Sequence, residues 1–247
     1  MASRLQRVLD HIRSKVEDDD DLPVNLIEKS RKGFKFQNWA KVESCQPDRL
    51  FYPRCVQDVV DIVKLAADRK KKVKAFGAGH SPSDIACTDG YMLSLDQMNR
   101  VLFLDAETGV VQVEAGARLH EINTLMSKHG LAFPSLGSIA EQSIAGAIST
   151  GTHGTGMSHG IVARRIMEVE FVNGVGDVMV CSRDHQQDLF LSVCCGLGCI
   201  GIITKITIKM DKSFHLRAKE VPAQMTDLLA DIPTLAESAE YVRFHWY

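Results

Sequence analysis

A short segment rich in glycine, with one histidine, constrains this 247-residue chain more than any other part of its sequence. It reads Ala-Phe-Gly-Ala-Gly-His-Ser-Pro-Ser-Asp over residues 75–84 and continues an apolar run that starts at Val73. Glycines let a backbone bend sharply and approach a ligand closely, and successive N–H groups in such a turn can hold a pyrophosphate. The segment lacks the third glycine of a Rossmann fingerprint and the Gly-Lys-Ser/Thr of a P-loop. It therefore predicts a strand followed by a turn that is either structural or a ligand site.

A second stretch of small residues covers residues 143–156. Its first half, Ser-Ile-Ala-Gly-Ala-Ile-Ser-Thr, allows very close packing of backbone or of a flat ligand. Its second half places three glycines and two threonines around His153. One such loop alone is typical of a tight structural turn. Two of them in one domain favour a large cofactor that carries phosphate.

Composition excludes several classes of protein. Apolar residues make up 45% and charged residues 24%, as in a globular protein with a full core. A net charge of −2 argues against binding to nucleic acid. Of seven cysteines, Cys194, Cys195 and Cys199 crowd one apolar segment, which predicts buried, reduced thiols, no metal site and a reducing compartment.

The N-terminal residues are predicted to contain neither a signal peptide nor a membrane span. Residues 2–16 are weakly amphipathic and residues 17–21 are acidic, so the first 20 lack an apolar core region. A charged surface helix is favoured there over a helix on a membrane surface. No run of apolar residues in the sequence is long enough to span a bilayer.

Periodicity predicts an α+β domain with two lobes, at residues 42–105 and 106–212. Strands are predicted at 50–52, 73–76, 92–95, 101–105, 110–114, 166–172, 178–181 and 200–210, and helices at 56–70, 119–128 and 188–195. The strand-helix-strand order at residues 50–76 puts the first glycine turn at the carboxyl end of a strand, where α/β units bind ligands. Beyond Lys212 the pattern predicts a helix at 225–239, interrupted by Pro233, and a strand that begins at 240.

Five ordered motifs, spread over about residues 38–209, carry a family resemblance. They are Gly77-Ala-Gly-His-Ser-Pro-Ser-Asp84, Val113-Glu-Ala-Gly116, Leu136-Gly-Ser138, Gly151-Thr-His-Gly-Thr-Gly156 and Gly196-Leu-Gly-Cys-Ile-Gly-Ile-Ile-Thr204. Together they resemble the flavin domain of the vanillyl-alcohol oxidase group, and within it the sugar-lactone oxidases. The resemblance implies a PCMH-type FAD-binding domain at residues 41–213, after a charged extension at 1–40. Residues 214–247 would begin a substrate-covering α+β domain, so the chain is expected to be truncated.

The resemblance implies FAD as the cofactor and assigns its contacts residue by residue. The implied cofactor-binding residues are Phe76, Gly77, Ala78, Gly79, His80, Ser81, Pro82, Ser138, Ser143, Gly146, Gly151, Thr152, His153, Gly154, Ile202 and Ile203. His80 is implied to bond covalently to the 8α carbon of the flavin, with a turn histidine hydrogen-bonded to its own loop as the alternative. His153 is expected to be a local hydrogen-bonder, and Gly137 to leave oxygen a path to the flavin. Glu114 is expected to be a turn or surface carboxylate, or else to line the cleft.

The implied activity is oxidation of a sugar-1,4-lactone, such as L-gulono-1,4-lactone, with oxygen as acceptor. The products would be hydrogen peroxide and ascorbate or an analogue, and the catalytic groups would lie beyond Tyr247. Two alternatives stay open: an alditol oxidase or lactone dehydrogenase on the same scaffold, and a truncated FAD-binding fragment or isoform without turnover. Family resemblance also admits an intracellular protein attached peripherally to the endoplasmic reticulum or mitochondria through residues outside this chain.

Overall fold

The computed structural model describes residues 22–246, so the predicted N-terminal surface helix lies outside the described residues. The helices are α1 (Val24–Ile27), α2 (Val56–Asp68), α3 (Leu119–Ser127), α4 (Ile144–Ser149), α5 (Gln187–Val193), α6 (Met225–Ala230) and α7 (Ile232–Glu237). The strands are β1 (Ser30–Arg31), β2 (Phe36–Gln37), β3 (Ser44–Cys45), β4 (Arg49–Phe51), β5 (Val73–Phe76), β6 (Tyr91–Ser94), β7 (Val101–Asp105), β8 (Val110–Glu114), β9 (Leu131–Ala132), β10 (Ile166–Val172), β11 (Val178–Ser182), β12 (Ile202–Lys209) and β13 (Asp211–Lys212). Short 3₁₀ helices lie at Asp84–Ala86, Leu95–Gln97 and Val162–Arg165.

A four-stranded sheet carries the first glycine turn. Its order is β1-β4-β6-β5, with β4, β6 and β5 parallel and β1 antiparallel to β4. Helix α2 connects β4 to β5, and its buried residues other than Asp58 are apolar: Val59, Val60, Ile62, Val63 and Ala66. The helix ends at Asp68, two residues before the predicted end at 70, because Lys70 takes a left-handed φ of 54° that stops the helix. The predicted strand-helix-strand unit is confirmed.

A five-stranded antiparallel sheet forms the second layer, in the order β11-β10-β12-β8-β7. Strand β7 pairs with β8, so it belongs to this sheet and not to the first lobe, which was predicted to end at residue 105. The boundary between the sheets therefore falls between Ser94 and Val101. A continuous cluster of buried apolar side chains joins α2 to both sheets.

The last described segment differs from its prediction. The helix predicted at 225–239 is divided into α6 and α7, with Pro233 in the first turn of α7, where a missing N–H costs least. The strand predicted from residue 240 is wrong. Tyr241 makes only an isolated bridge to Gly156, because no extended strand among residues 22–246 lies beside it. None of the helices in this part of the chain is long and apolar enough to cross a membrane.

Candidate functional site

The turn after β5 forms one wall of an open cleft. Residues 76–81 all line the cleft, whereas Pro82 does not. Gly79 has a φ of +66°, in the left-handed region that side chains other than glycine rarely adopt. The turn is therefore shaped by its glycines and presents backbone to the cleft.

Helix α4 provides the opposite wall. Ser143, Gly146 and Ser149 line the cleft, and Ser143 caps the helix by accepting a hydrogen bond from the backbone N–H of Gly146 at 3.4 Å. The two walls touch at Gly77, where an added Cβ would lie 1.9 Å from Ser143 Oγ. Glycine is thus required at position 77 by the close approach of the second wall. The first halves of the two glycine-rich segments meet in one site.

The second half of that segment turns away from the cleft. His153 and Gly154 line a separate open hollow, and Gly151, Thr152 and Ser138 line neither cavity. A ring nitrogen of His153, Nδ1, lies 2.9 Å from the carbonyl oxygen of Gly154 in its own loop. The structure therefore brings together only part of the predicted contact set.

A third wall comes from the start of β12 and the segment that precedes it. Ile202 and Ile203 line the cleft as apolar side chains, with Leu197 and Gly198 beside them. Leu197 has a φ of 53°, which is strained for a residue with a bulky side chain. Its backbone N–H donates to the carbonyl of Ser149 at 3.1 Å, which holds this wall against the end of α4.

The β2–β3 hairpin closes the cleft and was missed by sequence reasoning. The buried Asn38 donates from Nδ2 to the carbonyl of Ser81 at 3.0 Å, and the backbone N–H of Trp39 donates to the carbonyl of Gly79 at 2.8 Å. These two bonds flank His80 and fix the backbone on either side of it. The only available signal was a turn-forming asparagine ahead of a short polar segment.

His80 lies at the centre of this arrangement. Its ring stacks on the indole of Trp39, with centroids 5.6 Å apart and 26° between planes. Its Nδ1 is buried, and no hydrogen-bond partner for it exists among the described residues. Buried polar atoms are nearly always bonded, so an unpartnered ring nitrogen on a residue that lines the cleft is consistent with a group bound there. The alternative of a hydrogen bond from Nδ1 to its own loop is absent from residues 22–246.

The cleft has the chemistry that a flavin dinucleotide requires. Lys74 is the one fully charged side chain among the described residues that line it, and it suits an anion. Glycine backbone at the turn offers close approach to phosphate, while the isoleucines of β12 offer an apolar surface to a flat ring. These residues fit FAD.

Glu114 has a structural role instead of the predicted surface or cleft position. Its buried carboxylate accepts hydrogen bonds from Arg100 Nη2 at 2.7 Å, Arg100 Nε at 3.1 Å and the Arg100 backbone N–H at 2.8 Å. Burial alone would raise the pKa of Glu114, but these hydrogen bonds hold it below the usual range. The carboxylate therefore stays ionised within a structural ion pair.

The cysteines near residue 195 also differ from prediction. Cys195 and Cys199 are exposed, and only Cys194 is half-buried. Burial is the main reason that the pKa of Cys194 rises to about 11. Cys195 is exposed because its left-handed backbone, with a φ of 65°, belongs to a surface loop and not to the predicted helix at 188–195.

Comparison with known proteins agrees with this geometry. The family model described as FAD binding domain matches residues 47–182. L-gulonolactone oxidase of Mus musculus is 40% identical over 216 residues, covering 87% of this chain and 49% of the relative. The L-gulonolactone oxidase of Scyliorhinus torazame is 36% identical over 221 residues, covering 90% of this chain and 50% of the relative. D-arabinono-1,4-lactone oxidase of Kluyveromyces lactis is 37% identical over 222 residues, covering 88% of this chain and 42% of the relative.

The cleft, its glycine walls and the matched residues define a flavin-binding fold, and the chain belongs to the FAD binding domain family. The relatives named above are sugar-lactone oxidases. The chain spans about half the length of these curated relatives.

Proposed function

We propose that this chain is the FAD-binding part of a flavin-dependent oxidase that acts on sugar-1,4-lactones. The observation that carries the proposal is the unpartnered Nδ1 of His80 in a cleft walled by glycine backbone. FAD, when bound, would accept a hydride from the lactone and pass the electrons to oxygen, giving hydrogen peroxide and ascorbate or an analogue. The names of the relatives support the substrate class.

Each wall of the cleft has its own part in holding the cofactor. The turn at residues 77–79 would hold the pyrophosphate by backbone N–H groups, with Lys74 supplying positive charge. Ile202 and Ile203 would pack on the apolar ring system. Asn38 and Trp39 would hold His80 in position through the hydrogen bonds that flank it.

The proposal includes a covalent link between His80 and the 8α carbon of the flavin. Nδ1 is the atom that supports it, because it is buried and unpartnered among the described residues. Acid precipitation of the FAD-loaded protein, followed by fluorescence of the pellet on a denaturing gel, tests the link. We expect flavin in the pellet for the wild type and for His129→Ala, a matched control at an exposed histidine, and none for His80→Ala. Release of all flavin into the supernatant from the wild type would contradict the covalent assignment.

Gly137 is proposed to leave oxygen a path to the reduced flavin. A Cβ at this position would lie 3.0 Å from Thr152 Cγ2 and 3.3 Å from the His153 carbonyl oxygen, so alanine fits only with small shifts of these neighbours. Photoreduction of the FAD-loaded chain without oxygen, followed by rapid mixing with oxygen, measures reoxidation directly and needs no substrate. We expect several-fold slower reoxidation in Gly137→Ala at unchanged flavin content. An equal rate in both proteins would place the oxygen path elsewhere.

A second candidate is an FAD-binding module without turnover. No carboxylate or arginine is found among the described residues that line the cleft, so Lys74 is the one charged side chain that they offer to the hydroxyls of a lactone. Peroxide release from the FAD-loaded chain with L-gulono-1,4-lactone, D-arabinono-1,4-lactone or an alditol separates the candidates. Rapid peroxide release with one of these compounds identifies the substrate class. FAD binding without peroxide release favours an FAD-binding module without turnover. Peripheral membrane attachment stays a prediction from the resemblance.

A further inference from the structure

Trp39 is an exposed tryptophan beside the cleft. It is 68% exposed, so it contributes little to the apolar core. Its indole nevertheless stacks on the imidazole of His80, with ring centroids 5.6 Å apart and 26° between planes. The contact with His80 therefore gives this indole a role that core packing does not.

The loop that carries the indole is fixed by the buried Asn38. Its side-chain oxygen Oδ1 accepts hydrogen bonds from the backbone N–H groups of Val42 at 3.1 Å and of Glu43 at 3.2 Å. Its backbone N–H donates to the Glu43 carbonyl at 3.0 Å, and its Nδ2 donates to the Ser81 carbonyl at 3.0 Å. The loop between β2 and β3 is thus bonded both to itself and to the glycine turn, so it presents the indole to the imidazole from a fixed support.

The stack restrains the ring that carries the unpartnered nitrogen. The Nδ1 atom of His80 is buried and has no hydrogen-bond partner among residues 22–246. A side chain on a turn can change rotamer, and an imidazole nitrogen that becomes exposed gains a hydrogen bond from water. The indole covers one face of the ring and so opposes both changes. Aromatic pairs favour one arrangement over its alternatives by a factor of about 2–10.

We propose that Trp39 is a positioning residue for the attachment of FAD to His80, a role that rests on the covalent link proposed above. Its indole holds the imidazole in the orientation in which Nδ1 can bond to the 8α carbon. When this bond forms, one proton leaves the 8α carbon and another leaves Nε2 of the imidazole. The two protons and two electrons pass through the flavin to molecular oxygen, which is reduced to hydrogen peroxide. Trp39 forms and breaks no bond in this reaction.

The proposal separates attachment of the cofactor from its binding. Trp39 is not among the described residues that line the cleft, whereas its neighbour Asn38 is. The glycine turn, α4 and the isoleucines of β12 stay in place when the indole is removed. Loss of the indole should therefore slow attachment and leave reversible FAD affinity unchanged. A merely structural role would lower FAD affinity and Tm together with the attachment rate.

The attachment rate is measured on the 247-residue apoprotein, mixed with saturating FAD in air. Samples are precipitated with acid over time, and covalent flavin is measured by fluorescence on a denaturing gel. We expect Trp39→Leu, which keeps an apolar side chain without an aromatic ring, to attach FAD about 3- to 10-fold more slowly than the wild type. Trp39→Phe can still stack and should stay within about twofold of the wild type. The control Trp246→Ala, at the other tryptophan of the chain, which is 84% exposed, should attach FAD at the wild-type rate.

Reversible affinity is measured in a His80→Ala background, where no link can form. Flavin fluorescence titration should give the same FAD affinity for His80→Ala with and without Trp39→Leu. Thermal unfolding should give the same Tm for Trp39→Leu and Trp39→Phe, because the side chain is mostly exposed.

Three outcomes would overturn the role of Trp39 while the link itself stands. The first is an equal attachment rate in Trp39→Leu and the wild type. The second is a Trp39→Phe rate as low as that of Trp39→Leu, which would exclude the stack as the cause. The third is a loss of FAD affinity in the His80→Ala background as large as the loss of attachment rate, which would make Trp39 a contact of the cofactor. If the wild type binds FAD but releases all of it in acid, the covalent link is refuted, and the positioning role is refuted with it.

Discussion

Replacing Gly77 by alanine tests whether the two walls of the cleft are in direct contact. The new Cβ would lie 1.9 Å from Ser143 Oγ and 2.7 Å from Ser143 Cβ, both shorter than any real contact. The φ of Gly77 is outside the left-handed region, so alanine is not excluded by backbone strain and the penalty is steric. Ser143 has little freedom to move, since it is 4% exposed and caps α4.

The magnitude follows from these contacts. Overpacking of this kind costs about 1–3 kcal/mol. Displacing the Ser143 side chain from its capping position adds about 0.5–1 kcal/mol. We therefore expect Gly77→Ala to lower the free energy of unfolding by about 1.5–4 kcal/mol, a large part of the stability of an ordinary domain. Because the turn and α4 line the cleft, FAD affinity should fall as well.

Urea unfolding of the apoprotein and flavin fluorescence titration measure the two effects separately. Gly174→Ala is the matched control, because a Cβ there meets nothing within 4 Å and φ is not positive. Ser143→Gly removes both clashing atoms at a cost of a few tenths of a kcal/mol. The double variant should therefore be more stable than Gly77→Ala alone, by about 1 kcal/mol or more. If Gly77→Ala has the same stability and FAD affinity as Gly174→Ala, the turn and α4 are not in direct contact at Gly77.

Three further substitutions have defined outcomes. Glu114→Gln should cost about 1–2 kcal/mol in urea unfolding at neutral pH, because it weakens charge-assisted bonds from Arg100. The pKa of Glu114 is lower in the folded protein than in the unfolded chain. Its contribution to the free energy of unfolding is therefore complete above the ordinary glutamate pKa and is lost as the pH falls through the folded-state pKa. The difference in stability between Glu114→Gln and the wild type should disappear in that acidic range. Asp58→Asn should lower the free energy of unfolding by about 1–3 kcal/mol, because the Asp58 carboxylate accepts a hydrogen bond from Lys29 Nζ at 2.6 Å. A decrease of less than about 0.5 kcal/mol would contradict a stabilising role for this ion pair. Gly151 has a φ of +68°, so Gly151→Val should lower the free energy of unfolding by about 1–3 kcal/mol. The FAD affinity of the folded protein should not change. A loss of FAD affinity would place Gly151 in the binding site.

The parts of the fold that sequence could predict are those set by local patterns. Helix α2 carries apolar residues at helical spacing, and β10 and β11 flank a turn at Asn173-Gly174, so both were predicted within one or two residues. The glycine turn after β5 was predicted for the same reason, since a strand must end where two glycines interrupt its apolar run. The lobe boundary predicted at residue 105 separates β7 from β8, although the short link through Thr108-Gly109 is typical of the hairpin that joins these two strands.

The features that sequence did not predict depend on contacts between distant segments. Strands β2 and β3 are two residues each, too short for any alternation to be detected, and the hairpin they form is held by its bonds to the glycine turn. Glu114 looks like an ordinary carboxylate until the sheet brings Arg100 beside it. The left-handed backbone of Leu197 likewise accompanies its hydrogen bond to Ser149, and a leucine side chain gives no indication of it in the sequence.

Backbone hydrogen bonds, together with the bond from the Asn38 side chain to Ser81, fix the relative positions of the cleft walls. Trp39 bonds to Gly79, Cys195 to Ile148 and Leu197 to Ser149, in each case through main-chain N–H and C=O groups. A substitution that shortens a lining side chain leaves these bonds in place and should change ligand contacts while the walls stay where they are. A substitution at a glycine with a close neighbour moves the backbone itself and should displace a whole wall. Substitutions at positions where the backbone closely approaches a neighbouring wall should therefore weaken FAD binding most. The polarity of the side chains that line the cleft should matter less.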